Sequence, residues 1–233
     1  MLRAIEQIVP PPGPPAACPY LPGQRMRTQA FLLDEPQPGV YHTLMDLNFR
    51  RCGAVFYRPW CDECRQCCQI RVPVEAFRPD RGQRRCLRRN QDLQVEMGAA
   101  VPTPDRHELY TRYLQSRHDR QMGGSWSEFR EFLYDSPLDT REVVFRLAGR
   151  LVSVAILDVE PRAASTVYCY FDPDLPERSL GAFNILWAVD YCRRERIPYL
   201  YLGYYVRDCR KMNYKTRYRP CELLSPDHTW KPV

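Results

Sequence analysis

The 233-residue chain carries 34 lysines and arginines against 28 acidic residues, a formal charge of +6, with 44% hydrophobic and 27% charged residues. Those proportions exclude a largely disordered chain, and no run reaches the roughly 20 apolar residues of a membrane-spanning helix. Met1 to Ala17 holds five prolines and no basic-then-apolar leader pattern, so the eleven cysteines, an odd number, are expected to be reduced cytoplasmic thiols that bind metal or react.

In chain order, Pro10 to Pro15 reads as an extended, poorly packed lead-in. Phe49 to Val74 alternates short apolar runs with turn residues, which predicts strands and loops around a cysteine knuckle. Arg81 to Asp92 reads as a short basic helix. Thr103-Pro104-Asp105 opens a helix whose stripe of Leu109, Tyr110, Tyr113 and Leu114 runs toward Arg120, and Ser125 to Tyr134 forms the next. Glu142 to Leu147, Leu151 to Val159 and Ser165 to Phe171 are expected strands, the first two joined at Gly149-Arg150. Ser179 to Arg194 reads as a long amphipathic helix capped by Ser179, and Tyr199 to Gly203 as a buried strand. The fold class expected is α+β. An acetyltransferase-like (GNAT) βββαβ core lies in a C-terminal domain over 101–233. A Cys- and Arg-rich N-terminal domain over 18–100 and a proline-rich lead-in over 1–17 precede it.

Cys61-Asp62-Glu63-Cys64-Arg65-Gln66-Cys67-Cys68 places four thiols in eight residues. Thiols at i, i+3 and i+6 can converge on one soft cation, as zinc and iron–sulfur sites do; the plainer reading is reduced thiols packed as small hydrophobes. Six of the twelve residues from Arg78 to Arg89 are arginine, and Arg207 to Arg219 adds four arginines with Lys211 and Lys215 among Tyr214 and Tyr218. Such clusters commonly neutralise phosphates, and interleaved aromatics suit unpaired nucleic-acid ends. The loop from Asp172 to Gly181 lacks the glycine run of coenzyme A sites, so that cofactor is not expected.

Longer motifs carry a resemblance. They are Cys18-Pro19-Tyr20-Leu21-Pro22, Phe49-Arg50-Arg51-Cys52-Gly53 with Tyr57-Arg58-Pro59, the cysteine cluster, and Gln83-Arg84-Arg85 with Arg89-Asn90-Gln91-Asp92-Leu93. Further on come Arg117-His118, Ser165-Thr166-Val167-Tyr168, Arg178-Ser179-Leu180-Gly181, Tyr201-Leu202-Gly203-Tyr204 and Cys209 to Lys215. In this order, over about residues 18 to 230, the chain resembles the aminoacyl-tRNA–protein transferase family. Within it the likeness is to the bacterial aspartate/glutamate leucyltransferases, relatives of the eukaryotic arginyltransferases. Cys68 stands where an apolar residue is expected and Cys52 where serine is usual, and neither is given a role.

The resemblance implies transfer of an aminoacyl group, leucine or alternatively arginine, from charged tRNA (tRNA-Leu for leucine) to the α-amine of proteins beginning with Asp or Glu, an N-degron step. The ester is already activated, so no ATP and no covalent intermediate are needed. The N-terminal amine has a pKa near 8, and alignment with oxyanion stabilisation carries the chemistry. Cys18, Cys61, Cys64 and Cys67 are the expected ligands of zinc or an iron–sulfur cluster. Arg84, Arg85, Arg88, Arg89, Lys211 and Lys215, with Ser179 and Gly181, are the expected tRNA contacts. Arg50 and Arg51 are chosen for the acidic side chain, against a structural salt bridge as the alternative. Tyr168, Asn213 and Tyr214 are expected to orient amine and ester, or to be core residues; His118 is read as structural. A monomer is expected. The competing class is a non-enzymatic, zinc-organised RNA-binding protein.

Overall fold

The computed structural model describes residues 9–117 and 124–233. The elements in chain order are β1 (Ala16–Ala17), β2 (Arg25–Met26), β3 (Thr28–Leu32), α1 (Val40–Asp46), β4 (Arg50–Cys52), β5 (Val55–Pro59), β6 (Cys68–Pro73), α2 (Arg81–Arg89) and β7 (Leu93–Ala99). They continue with α3 (Pro104–Arg117), α4 (Trp126–Leu133), β8 (Thr140–Leu147), β9 (Arg150–Glu160), β10 (Ala163–Phe171), α5 (Leu180–Arg194), β11 (Tyr199–Tyr205), α6 (Arg210–Asn213), β12 (Glu222–Leu224) and β13 (Trp230–Pro232). No described helix is long and apolar enough to cross a membrane.

An eight-stranded mixed sheet, ordered β13-β12-β6-β11-β10-β9-β8-β7, forms the frame. Its one parallel pair is β10 with β11, and parallel neighbours need a crossover, which α5 supplies. The apolar face of α5, with Leu180, Phe183, Leu186 and Val189, packs with Val143, Phe145, Val152 and Leu200. On a second core, Leu109, Tyr110 and Leu114 of α3 and Phe129 and Leu133 of α4 meet Val154, Ile156 and Tyr170. A three-stranded sheet, ordered β3-β5-β4, packs with α1 to bury Phe49 and Phe56 against Ala163 and Tyr201.

The expected βββαβ order is present, with β8 and β9 each reaching past the expected limits. Their turn falls one residue earlier than expected, on Ala148 and Gly149, both at positive φ (48° and 82°), the conformation whose twist suits a two-residue hairpin. Three expectations need correction. The boundary at residue 100 does not divide the main sheet, because β6 and β7 are strands of it. Pro10 to Pro15 is irregular and mostly exposed but is not left loose, because Arg27 donates to the Pro12 and Gly13 carbonyls at 2.9 Å and Gln29 to Pro10 at 3.1 Å. Ser179 does not cap α5 with its side chain; it sits at φ 53° and contributes only its carbonyl to the first turn. The basic helix α2 begins with a capping box between Asp80 and Gln83, and α4 with one between Ser125 and Glu128.

Candidate active site

The site begins as a gap in the sheet. β10 and β11 pair only from Ala163–Tyr199 to Ser165–Tyr201. A bulge between Thr166 and Tyr168 on β10 and another between Tyr201 and Gly203 on β11 then carry the strands apart, while β9 and β6 hold their outer edges. Backbone carbonyls on the parting edges need partners. Two cations supply them: Arg50 Nη2 donates to Thr166 O at 2.9 Å, and Lys215 Nζ donates to Tyr204 O at 2.6 Å.

Arg50 reaches the gap from β4 and is only 7% exposed. Its Nη1 has no hydrogen-bond partner among the described residues. Burial works against its charge, but the phenols of Tyr41, Tyr57 and Tyr204, with Asp158, more than offset this and hold the guanidinium above its usual range. Gly203 makes room for it: a Cβ there would stand 2.3 Å from Nη1. Tyr20 also lies beside Arg50 and Tyr57, its phenol raised by burial and then by that Tyr57 neighbour.

Arg51 faces the other way. Its fork grips Asp158 at 2.7 and 2.6 Å and Thr140 Oγ1 at 3.1 Å, with the pair 0% and 1% exposed. The expectation that it receives a substrate carboxylate is corrected, because that fork is already filled and the salt-bridge alternative holds.

Lys215 is likewise misplaced by the sequence reading. It is 7% exposed rather than on a phosphate-facing surface. Burial, aided by Arg50 and opposed by Cys209, brings its pKa down to about 7. Tyr214, beside it, is 38% exposed, and burial of much of its ring lifts its phenol to about 12. Tyr168 sits on the β10 bulge among Phe132, Tyr110 and Tyr113, at ring distances of 5.2, 6.1 and 6.3 Å. Asn213 braces the turn before α6 by donating to Arg207 O at 3.2 Å. Tyr168 is thus packed among the rings of α3 and α4, and Asn213 serves its own turn; His118 lies outside the described residues.

The arginines of α2 form an exposed face that continues to the start of α5. Arg178 pairs with Asp92 through two bonds of 2.8 and 2.9 Å, Asn90 donates to Arg178 O at 2.9 Å, and Arg89 donates to Glu177 O. Gln83 donates at 3.0 Å to Arg217 O, tying the same helix to the segment that bears Lys215. Arg85 and Arg88 are exposed, with no side-chain hydrogen-bond or ion-pair partner among the described residues, Arg84 donates to Pro79 O at 2.6 Å, and Lys211 is exposed on α6. Ser179 is exposed and Gly181 half-buried against Phe171.

The thiols gather on the other flank. Burial, then the neighbouring Cys18, Cys64, Cys61 and Cys68 thiols, push Cys67 up to about 12. All eleven cysteines are free. Thiols gathered around Cys67 suit a soft cation, which would hold them as thiolates. Among the described residues no three His, Cys, Asp or Glu side chains already stand as a coordination shell. Asn48 ties this loop to the gap by donating to Cys67 O at 2.9 Å, while Tyr204 donates to Asn48 O at 2.9 Å.

Sequence reasoning missed the phenols of Tyr20, Tyr41, Tyr57 and Tyr204 around Arg50. One signal was available: an isolated glycine inside the apolar strand at Tyr201-Leu202-Gly203-Tyr204 marks a bulge or a close approach.

The fold is shared with two solved structures. The C-terminal domain (DUF2156) of a putative lysylphosphatidylglycerol synthetase from Agrobacterium fabrum matches with TM-score 0.53 and 16% identity, over 87% of this chain and 65% of that one. FemX matches with TM-score 0.50 and 11% identity, over 82% and 68%. The family described as "Arginine-tRNA-protein transferase" matches through its N terminus at residues 16–85 and its C terminus at 105–225. Relatives named aspartate/glutamate leucyltransferase include one from Pseudomonas syringae pv. tomato, 43% identical over 91% of both chains. Another, from Marinobacter nauticus, is 39% identical over 94% of both. The protein is thus a transferase, and the non-enzymatic RNA-binding reading falls away. The chain belongs to the aminoacyl-tRNA–protein transferase family.

Proposed function

We propose that this chain transfers leucine from leucyl-tRNA to the α-amine of proteins that begin with Asp or Glu, and that Arg50 reads the acidic side chain. One observation carries the reading of the site: a guanidinium nine-tenths buried in the β10–β11 gap, with one nitrogen unpartnered. A carboxylate entering that gap must recover the hydration it loses from a fixed donor, and Arg50 offers a charge-assisted bond. In the acetyltransferase-like reading of the core, the parted strands also receive the aminoacyl ester, which needs alignment rather than activation. Tyr168 and Tyr214 flank that place, and Asn213 sets the turn that brings Tyr214 to it. Neither ATP nor coenzyme A takes part. We place the reaction in the cytoplasm, carried out by a monomer.

The exposed arginines of α2, with Lys211 and the start of α5 at Ser179 and Gly181, would hold the tRNA acceptor end. Replacing Arg85 and Arg88 by alanine should lower the slope of log affinity against log salt by about 0.7–0.9 per lost phosphate contact, with peptide affinity little changed; an unchanged slope removes both from the interface. Cys18, Cys61, Cys64 and Cys67 would hold zinc or an iron–sulfur cluster, which supplies a structural cross-link between two loops. Anaerobically purified protein should then carry about one equivalent of zinc or one cluster, and Cys64→Ser should lose it. An active preparation free of both metals would leave the thiols as packing groups.

The function is tested by offering an Asp-initiated peptide with leucyl-tRNA and, in parallel, arginyl-tRNA. Leucyl-peptide is the expected product. Arginyl-peptide alone would reassign the donor, and no product from either would overturn the reading.

A further inference from the structure

We propose that Lys215 takes the proton from the attacking α-amine and returns it to the leaving ribose hydroxyl. The proposal rests on the function just stated and adds to it a group that moves the proton. Lysine is almost never fully buried unless paired, yet Lys215 is 7% exposed and has no salt bridge among the described residues. Among the described residues its ammonium nitrogen has a single hydrogen bond, to Tyr204 O on the parting edge of β11. That carbonyl fixes the direction of the side chain and leaves the remaining positions on Nζ for another partner.

The groups that face it are known. Arg50 approaches from β4, Cys209 from the turn before α6, and Tyr204 from β11 through its carbonyl, while its phenol is engaged with Asn48 O and Tyr57 O. No carboxylate is paired with it among the described residues. Burial first, then Arg50, disfavour the ammonium, and Cys209 offsets them only in part, so the amine is neutral above about pH 7. A free α-amine titrates near 8. Donor and acceptor are thus close in acidity, the condition under which a positioned base is most effective.

The step balances without any further reactant. The neutral α-amine adds to the ester carbonyl and forms the C–N bond. Lys215 accepts the proton that this nitrogen must lose and becomes an ammonium. The C–O bond to the ribose then breaks, and the ammonium protonates the departing oxygen, which restores the neutral lysine. The same residue acts as base and then as acid.

A fixed cation at this place would instead stabilise the oxyanion, and the two roles give opposite results. The experiment compares wild type, Lys215→Met and Lys215→Arg in transfer from leucyl-tRNA to an Asp-initiated peptide, with kcat/KM followed from pH 5.5 to 9 and tRNA affinity as the control for folding. In wild type, two groups must be deprotonated, so log kcat/KM should rise with a slope of two below about pH 7 and of one from there to about pH 8. Lys215→Met should lose about 10²–10⁴-fold in kcat, keep its tRNA affinity, and show a slope of one from pH 5.5 to about pH 8, with no steeper limb below pH 7. Lys215→Arg cannot give up its proton and should be as slow. Activity restored by arginine, or a slope unchanged in Lys215→Met, would overturn the proposal.

Unfolding supplies a readout independent of turnover. Between about pH 7 and the ordinary lysine value of 10.5 the unfolded chain holds a proton that the folded one does not. Stability should therefore rise with pH across that window in wild type relative to Lys215→Met. A difference that does not change with pH would show that the native lysine is not neutral there, and would likewise overturn the proposal. A wild type that transfers nothing would instead indict the function itself.

Discussion

Gly203→Ala should cost about 2–5 kcal/mol of stability, the sum of two separate strains. The first is conformational: Gly203 has φ +84°, a region that disfavours an L side chain by about 1–2 kcal/mol. The second is steric. The new Cβ would lie 2.3 Å from Arg50 Nη1 and 2.7 Å from its Cζ. The guanidinium cannot simply withdraw, because its other nitrogen is bonded to Thr166 O at 2.9 Å and the residue is buried. Crowding of this kind costs about 1–3 kcal/mol. For a chain of this length each kcal/mol is worth about 2–4 °C in Tm, so thermal unfolding should reveal it directly. Because the clash falls on Arg50, kcat/KM for Asp-initiated peptides should also drop by tenfold or more, about 1.4 kcal/mol. Wild-type Tm and kinetics would show that Arg50 does not rest against this glycine.

Asp158→Ala should be the most destabilising single change, by about 3–5 kcal/mol, because it leaves a buried guanidinium without its counter-charge. Arg51 belongs to β4 of the small sheet and Asp158 to β9 of the main one. The pair, with Thr140 bonded to the same carboxylate at 2.7 Å, clamps the two sheets together and so sets the depth to which neighbouring Arg50 reaches. Removing the charge from both sides should hurt less than removing it from one. The double variant Arg51→Met with Asp158→Leu is therefore expected to recover much of the loss, since apolar groups of similar volume often replace a buried pair without penalty. Urea denaturation midpoints of the three proteins measure this. A mild Asp158→Ala, within about 0.5 kcal/mol of wild type as for ordinary surface changes, would contradict the clamp.

The regular elements were legible because their periodicities are local. The stripe of Leu109, Tyr110 and Leu114 gave α3, and the apolar runs on either side of Gly149 gave the β8–β9 hairpin. What stayed hidden depends on distant partners. Nothing near Cys68 to Pro73 or Leu93 to Ala99 says that these strands complete the main sheet, since β6 pairs with β11 and β12, and β7 with β8. Arg50 and Arg51 look equivalent in sequence. Alternation along β4 sends them to opposite faces, and only the position of Asp158, 107 residues away, decides which is spent. Lys215 reads as one more member of a basic cluster. Its burial follows from the turn after α6 folding back over β11, where the Tyr204 carbonyl awaits a donor. The arginine face of α2 was visible in the spacing alone, while its continuity with α5 rests on the Arg178–Asp92 pair, which spans 86 residues.

Whether Arg50 reads the acidic side chain is measured most directly by kcat/KM for matched peptides beginning with Asp and with Asn, in wild type and in Arg50→Lys. Lysine keeps the charge but loses the planar fork and its reach. The account predicts that the variant loses at least tenfold of the preference for Asp over Asn, about 1.4 kcal/mol, while its affinity for tRNA persists. A variant that binds tRNA and still prefers Asp over Asn as strongly as wild type would place the selecting cation elsewhere and contradict it.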